Sequence, residues 1–299
     1  MSLIEVPDSN RNPFRIIKTS FLTSIIVWKS YKGTLIFFII LSLLFAMLPI
    51  FMGRAIGGEN YRAFFQANGG GSHPEAFLLL GSNAWSLVLY ALWDYATYMR
   101  EEQQQGTLES LFLTPANQGL IIIGRGMLSA IMAVSTFLVG IFIGIMIFDP
   151  ELLVSLDLPL FLFAIFLIVL GFIPLLGLSM LLGALIIRFK EVNNILSILQ
   201  FLLGTLMGVF FPITILPFVV QIISALFPGT WIVQDIRYIV TGSPPMLVIF
   251  GLDKIFGPIP VLFDFLMLIL LSIFWTYSGI VIFSRTLKKM EKEEGISQY

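Results

Sequence analysis

Six long apolar runs constrain this chain more than any other feature. A helix needs about 20 mainly apolar residues to cross roughly 30 Å of hydrocarbon at about 1.5 Å per residue. Residues 34–53, 76–98, 119–148, 158–187, 194–214 and 261–283 each meet that requirement. Of the 299 residues, 58% are hydrophobic and 12% are charged, against about 25% charged in a soluble domain. Mean hydropathy is +0.96. A water-facing surface has no room for so much apolar side chain, so the expected fold is an all-α integral membrane domain spanning 1–299 with six transmembrane helices. The third and fourth runs are longer than a span needs. Arg125 predicts that the third begins as an interfacial turn and spans from about Met127. Pro159, Pro174, Gly171, Gly177 and Gly183 predict a tilt or kink in the fourth.

Orientation follows from Lys and Arg, which gather on the cytoplasmic side. With both termini cytoplasmic, the inner segments hold 13: five before the first run, Arg100 and Arg125, Arg188 and Lys190, and four after the last run. The outer segments hold four: Arg54, Arg62, Arg237 and Lys254. That asymmetry predicts a multi-pass protein of the cell (plasma) membrane with both ends inside. The basic residues Arg285, Lys288 and Lys289 would then face anionic headgroups.

Other classes are excluded by what is missing. There are no cysteines, hence no disulfide, thiolate metal site or cysteine nucleophile. A net charge of −1 offers nothing to nucleic acid. The single histidine, His73, lies beside Pro74 in a Gly-rich stretch and reads as a solvated loop residue, not a metal ligand. The first thirty residues are polar, basic and mixed, unlike a cleavable signal. No G-x-x-x-x-G-K-[ST], H-E-x-x-H or G-x-S-x-G occurs.

Three segments are apolar or amphipathic without spanning. Residues 11–32 place Phe14, Ile17, Phe21, Ile25 and Trp28 at helical spacing, with Arg15, Lys18 and Lys29 elsewhere on the wheel, which predicts an interfacial amphipathic helix. Residues 54–75 form a Gly-rich outer loop. Between Pro217 and Pro228 stand ten mainly apolar residues, too few to cross, which predicts a re-entrant or interfacial piece.

Between the second and third runs lies a dense polar decamer, Arg100-Glu101-Glu102-Gln103-Gln104-Gln105-Gly106-Thr107-Leu108-Glu109. Glu and Gln favour helix, Gly106 breaks it, and Thr107 can cap a new helix running to Pro115 with Leu108, Leu111 and Phe112 on one face. Such a helix at the membrane edge suits a partner's groove; an ordinary solvated loop is the plain alternative.

These residues carry a family resemblance. Glu102-x-x-x-Gly106-Thr107-Leu108-Glu109 resembles the segment between spans two and three of ABC-2 type ABC transporter permeases. The likeness continues through Arg188-Phe189-Lys190-Glu191-Val192-Asn193-Asn194, then Phe211-Pro212, Leu216-Pro217, Pro228-Gly229-Thr230 and Arg237, in the family's order. Gln103, Gln104 and Gln105 depart from it, standing where relatives often carry charge.

The resemblance implies specific roles. Residues 101–114 would be a coupling helix docking on an ATP-binding subunit, with Glu102, Gly106, Thr107, Leu108, Glu109, Leu111 and Phe112 as the coupling residues. Residues 11–32 would be the connecting helix, and 217–235 an outer re-entrant element. The chain would bind no cofactor itself, ATP and Mg being held by two copies of the partner ATPase. A second permease copy or a paralogue would complete the membrane path.

Polar and small residues inside the runs were candidates for that path. Asp94, one and a half turns from Arg100, and Asp264, one turn into the last run, both read first as interfacial. Gln200 reads as an interhelical hydrogen bond before a substrate contact. Gly140-x-x-x-Gly144 and Gly204-x-x-x-Gly208 match small-residue packing stripes. The resemblance puts the fifth span at a dimer interface, so Gln200, Phe201, Gly204, Gly208, Phe210 and Phe211 are candidates for the path or that interface, with core or lipid packing as the alternative. The expected function is an exporter half moving a drug, lipid or lipid-linked glycan. An ATPase-independent secondary transporter or channel is the alternative, and a membrane-embedded enzyme is disfavoured because no intramembrane catalytic group converges.

Overall fold

The computed structural model describes residues 12–29, 32–104, 118–155, 157–188, 192–252 and 260–293. Among these residues the structure is helical, with no strand. In chain order the helices are α1 Pro13–Lys29, α2 Lys32–Gly57, α3 Tyr61–Ala67, α4 Pro74–Gln104, α5 Gln118–Phe148, α6 Pro150–Ser155, α7 Leu158–Arg188, α8 Val192–Leu206, α9 Phe218–Ala225, α10 Pro228–Thr241, α11 Met246–Ile249 and α12 Pro260–Glu293.

Four of these contain segments long and apolar enough to cross a membrane: Pro74–Tyr98, Gly119–Phe148, Leu158–Leu185 and Leu262–Thr286. A fifth would be the α9–α10 pair, whose two helices bend by 97° at their junction. The chain is therefore compatible with a multi-pass membrane protein. The bend sits where the sequence predicts a re-entrant piece, and the chemistry there explains it. Pro228 cannot donate to the turn before it and occupies the first turn of α10, while Phe227 is extended.

The helices meet around α4, whose apolar segment is 78% buried, against 22% for that of α12. α4 packs on α5 and α7, α12 lies along α7, and α10 wedges among α4, α7 and α12. Asn12 caps α1 by accepting the Phe14 N–H at 3.0 Å, with Pro13 at the first helical position. α1 then packs along α5 at Gly124, where a side chain would collide with the Ile17 carbonyl and Ser20.

Two expectations change. α7 is one continuous helix with Pro174 inside it. Gly177 marks a close approach: a methyl group there would overlap the backbone of Trp275 and Thr276, and one at Gly279 would overlap Gly177. Bare backbone lets α7 and α12 touch, as small residues do between helices in lipid.

The second change concerns the run 194–214. Its helix, α8, ends at Leu206 after 15 residues, about 22 Å at 1.5 Å per residue. The end is a left-handed turn. Gly208 has φ +61°, its N–H donates to the Thr205 carbonyl, and the Val209 N–H donates to the Gly204 carbonyl at 3.2 Å. Gly204-x-x-x-Gly208 is therefore not a helical packing stripe, because Gly208 lies beyond the helix and serves to stop it.

Candidate functional site

Three regions hold the candidate residues. At the end of α4, Glu102 Oε1 meets Arg125 Nη1 of α5 at 2.8 Å. The same guanidinium lies 4.4 Å from the centre of the Tyr98 ring. Gly124, beside Arg125, is where α1 abuts α5. The ion pair joins α4 and α5 at the start of the polar segment, one residue from where α1 packs on α5. Of the expected coupling residues, Glu102 alone falls here; Gly106, Thr107, Leu108, Glu109, Leu111 and Phe112 lie outside the described residues, and so do the side chains of Asp94 and Arg100.

The second region joins α2, α4 and α8. Trp93 Nε1 donates to the Gln200 side-chain oxygen at 3.2 Å, the interhelical bond expected of that residue. Trp85 Nε1 donates to the Gln200 carbonyl at 3.4 Å, and Gly204 leaves room for its indole. Phe45 and Phe210 meet Trp85 edge-on, with centroids at 5.7 and 5.9 Å. Trp85 is buried, whereas Phe45, Trp93, Phe201 and Phe210 are exposed and Phe211 is half-buried. Trp85 and Trp93 thus bring Gln200, Gly204 and Phe210 together, while Phe201 projects outward. Sequence alone did not single out either tryptophan; their signal was an indole N–H in an apolar run, which needs an acceptor. Chemically this is an aromatic face carrying one side-chain amide.

The third region, at the opposite end of the bundle from Glu102, went largely unrecognised in the sequence. Glu75, buried in the first turn of α4, accepts from Arg54 at 2.9 Å and has Arg62 at 3.8 Å. His73 Nδ1 lies 2.8 Å from Asp149 Oδ2, so the lone histidine is tied to the end of α5 and is not a solvated loop residue. Burial, followed by the charge of Glu75, pushes the Tyr61 hydroxyl above its ordinary ionisation range, against the pull of Arg54 and Arg62.

Arg237 is the largest departure. Counted from sequence as an outer-side charge, it is fully buried in α10. Its Nε, Nη1 and Nη2 donate to the carbonyls of Phe77, Gly208 and Val209 at 3.2, 2.9 and 2.8 Å, and its guanidinium stacks 3.5 Å from the Phe77 ring centre. Two of those carbonyls lie in the turn ending α8, the negative end of a helix dipole. Asp264 is likewise fully buried within the chain. Its Oδ2 and Oδ1 accept the N–H groups of Met246 and Leu247 at 2.9 and 3.1 Å, capping α11. Among the described residues no group of three or more His, Asp or Glu is placed to hold a metal.

No protein-family model and no curated protein matches this chain.

Proposed function

We propose that this chain is the membrane half of an ATP-driven exporter of the ABC-2 type. The observation that carries the reading is the polar segment from Arg100 to Glu109, set between two helices long and apolar enough to span. Membrane proteins spend charge sparingly, so a charged, helix-forming segment there is suited to docking a soluble partner. With no phosphate-binding loop in the chain, that partner supplies ATP binding and Mg.

In this reading α2, α4, α5, α7 and α12 are spans, the remaining one is the run 194–214 made of α8 and the non-helical residues after its turn, and both termini are cytoplasmic in the cell membrane. α1 is the connecting helix along the inner face. Residues 101–114 form the coupling helix, through Glu102, Gly106, Thr107, Leu108, Glu109, Leu111 and Phe112. The bent α9–α10 pair is the outer re-entrant element, and the 97° bend supports that assignment. Two ATP-binding subunits and a second permease copy or paralogue complete the machine. The aromatic face of Trp93, Phe201 and Phe210 supports a path or interface there, for a hydrophobic or amphipathic cargo.

The test is gentle detergent extraction from native membranes. An ATP-binding subunit should co-purify, and Gly106→Pro should leave insertion intact while abolishing substrate-stimulated ATP hydrolysis. Extraction of an active transporter without such a subunit would favour the second reading, a secondary transporter. One observation speaks for that reading: the buried carboxyls of Asp235 and Asp264, since intramembrane acids often serve ion-coupled transport.

A further inference from the structure

Two arginines converge on one carboxylate oxygen where α2 gives way to α3. Arg54, in the last turn of α2, donates from Nε and Nη2 to Glu75 Oε1 at 3.3 and 2.9 Å. Arg62, on α3, brings its Nη2 to 3.8 Å from the same oxygen, too far for a hydrogen bond. A guanidinium offers more N–H donors than a single oxygen can take. Arg54 keeps Nη1 without a partner, and Arg62 makes no hydrogen bond among the described residues. The two side chains are 46% and 70% exposed, while Glu75 is 2% exposed. The corner therefore presents spare donors and one more positive charge than Glu75 balances.

No other group at this end takes up that charge. Glu59 is exposed in the turn between the two helices and forms no ion pair with either arginine. Asp149 is held by His73. Arg237 is buried in α10 with its guanidinium on backbone carbonyls.

The apolar neighbours identify what covers the pair. Phe51 and Met52, just before Arg54, and Ile56, just after it, are exposed, and so is Phe64 on α3. Ile56 is 82% exposed. These side chains end the run 34–53, which is long enough to cross a bilayer. Cations set among them lie where hydrocarbon gives way to headgroups, with their stems in the apolar layer. A soluble anion would meet the guanidinium groups and leave the apolar side chains uncovered. A phospholipid covers both, its phosphate on the arginines and its acyl chains along Phe51, Ile56 and Phe64. The planar fork of arginine suits phosphate oxygens, and the surplus charge favours a lipid of net negative charge.

We infer that Arg54 and Arg62 hold the phosphate of an anionic phospholipid, and that this lipid ties the end of α2 to α3. Within the chain those helices meet where Gly53 and Gly57 make room for Tyr61, and the rest of 51–59 is exposed. A phosphate gripped from both sides would brace that narrow contact. The inference requires α2 in a bilayer and no ATPase partner.

The test uses the full chain in phosphatidylcholine nanodiscs containing a trace of phosphatidylglycerol with a photoreactive headgroup. After irradiation, mass spectrometry should find label on the fragment holding residues 54–64. Arg62→Gln should lower that labelling about fivefold, the worth of one basic residue at an anionic surface, and leave labelling elsewhere unchanged. It should melt with the wild type, because Arg62 is exposed and makes no hydrogen bond. Arg62→Lys keeps the charge and should recover more than half of the label; if Arg62→Gln melts early, this recovery decides. Excess inorganic phosphate should not displace the lipid. Displacement by phosphate would show a site for a free anion and overturn the inference. So would absence of label from 54–64 in the wild type, equal labelling by a phosphatidylcholine analogue, equal labelling in Arg62→Gln, or no recovery in Arg62→Lys.

Discussion

At the Glu75 end of the bundle, Arg54, Glu75, His73, Asp149, Arg237 and Asp264 are tied into pairs or onto backbone groups, most of them buried. At the Glu102 end, among the described residues, Arg125 of α5 joins α4 through Glu102 and the Tyr98 ring, with the guanidinium 43% and the carboxylate 15% exposed. A buried charge that loses its partner costs several kcal/mol, whereas an exposed pair contributes about 0–1 kcal/mol. The first end is built to keep one arrangement. At the second, among the described residues, the helices are joined through a partly exposed guanidinium, whose bonds cost less to exchange.

The sharpest way to break this contrast is Arg237→Met. It keeps the bulk of the stem but leaves the carbonyls of Phe77, Gly208 and Val209 without their donor. A buried group left unsatisfied costs about 1–3 kcal/mol; the Gly208 carbonyl still accepts the Phe211 N–H and Phe77 lies within the α4 ladder, so a loss of about 1–3 kcal/mol, chiefly at Val209, is expected in a denaturant melt. A wild-type melt would mean that the Glu75 end is not held through this residue. Gly81→Ala sharpens the point without removing charge, because a methyl group there overlaps the guanidinium and the Val209 carbonyl. The expected cost is about 1–3 kcal/mol of overpacking, and Gly81→Ala added to Arg237→Met should cost less than the two separately.

Arg125→Ala probes the other end. Its expected effect on stability is under about 1 kcal/mol. On the proposed function its effect on coupled ATP hydrolysis should be large, and the double reversal Glu102→Arg with Arg125→Glu should restore part of it. A stability loss as large as that of Arg237→Met would erase the distinction between the two ends.

The sequence made the helices legible and left most of the polar chemistry hidden, for physical reasons. Hydrocarbon demands long apolar runs, so α4, α5, α7 and α12 could be placed within a few residues. Burial of Arg237 could not, because α10 carries Gln234, Asp235, Arg237 and Tyr238 and so reads as a surface segment. One acceptor for Arg237, the Phe77 carbonyl, is 160 residues away and is a backbone group that any residue type supplies. The glycines hid their roles in the same way: Gly208 suggested a packing stripe and is a helix stop, and nothing in the sequence showed that Gly177 is where α7 meets α12. Gln200 was readable because an amide in an apolar run has few options; which donor would meet it was not.

The smallest expected effect tests whether polarity at the Glu75 end always stabilises. Tyr61 is buried, and its hydroxyl has no hydrogen-bond partner among the described residues, so Tyr61→Phe removes a desolvated group. At neutral pH the change should be neutral or stabilising by up to about 1 kcal/mol. The ring fits against Gly53 and Gly57 on α2, and phenylalanine keeps that fit. Above neutral pH the two proteins should diverge. Burial, with Glu75 adding to it, raises the folded hydroxyl above its ordinary value of 10.0, so the folded chain keeps a proton that the unfolded chain gives up. That contribution is intact below pH 10.0 and shrinks as pH climbs beyond it. The wild type should therefore lose melting temperature more steeply than Tyr61→Phe above that point, and the two curves should run parallel below it. Parallel curves throughout would place the hydroxyl in water, and the Glu75 end would then be less closed than its ion pairs imply.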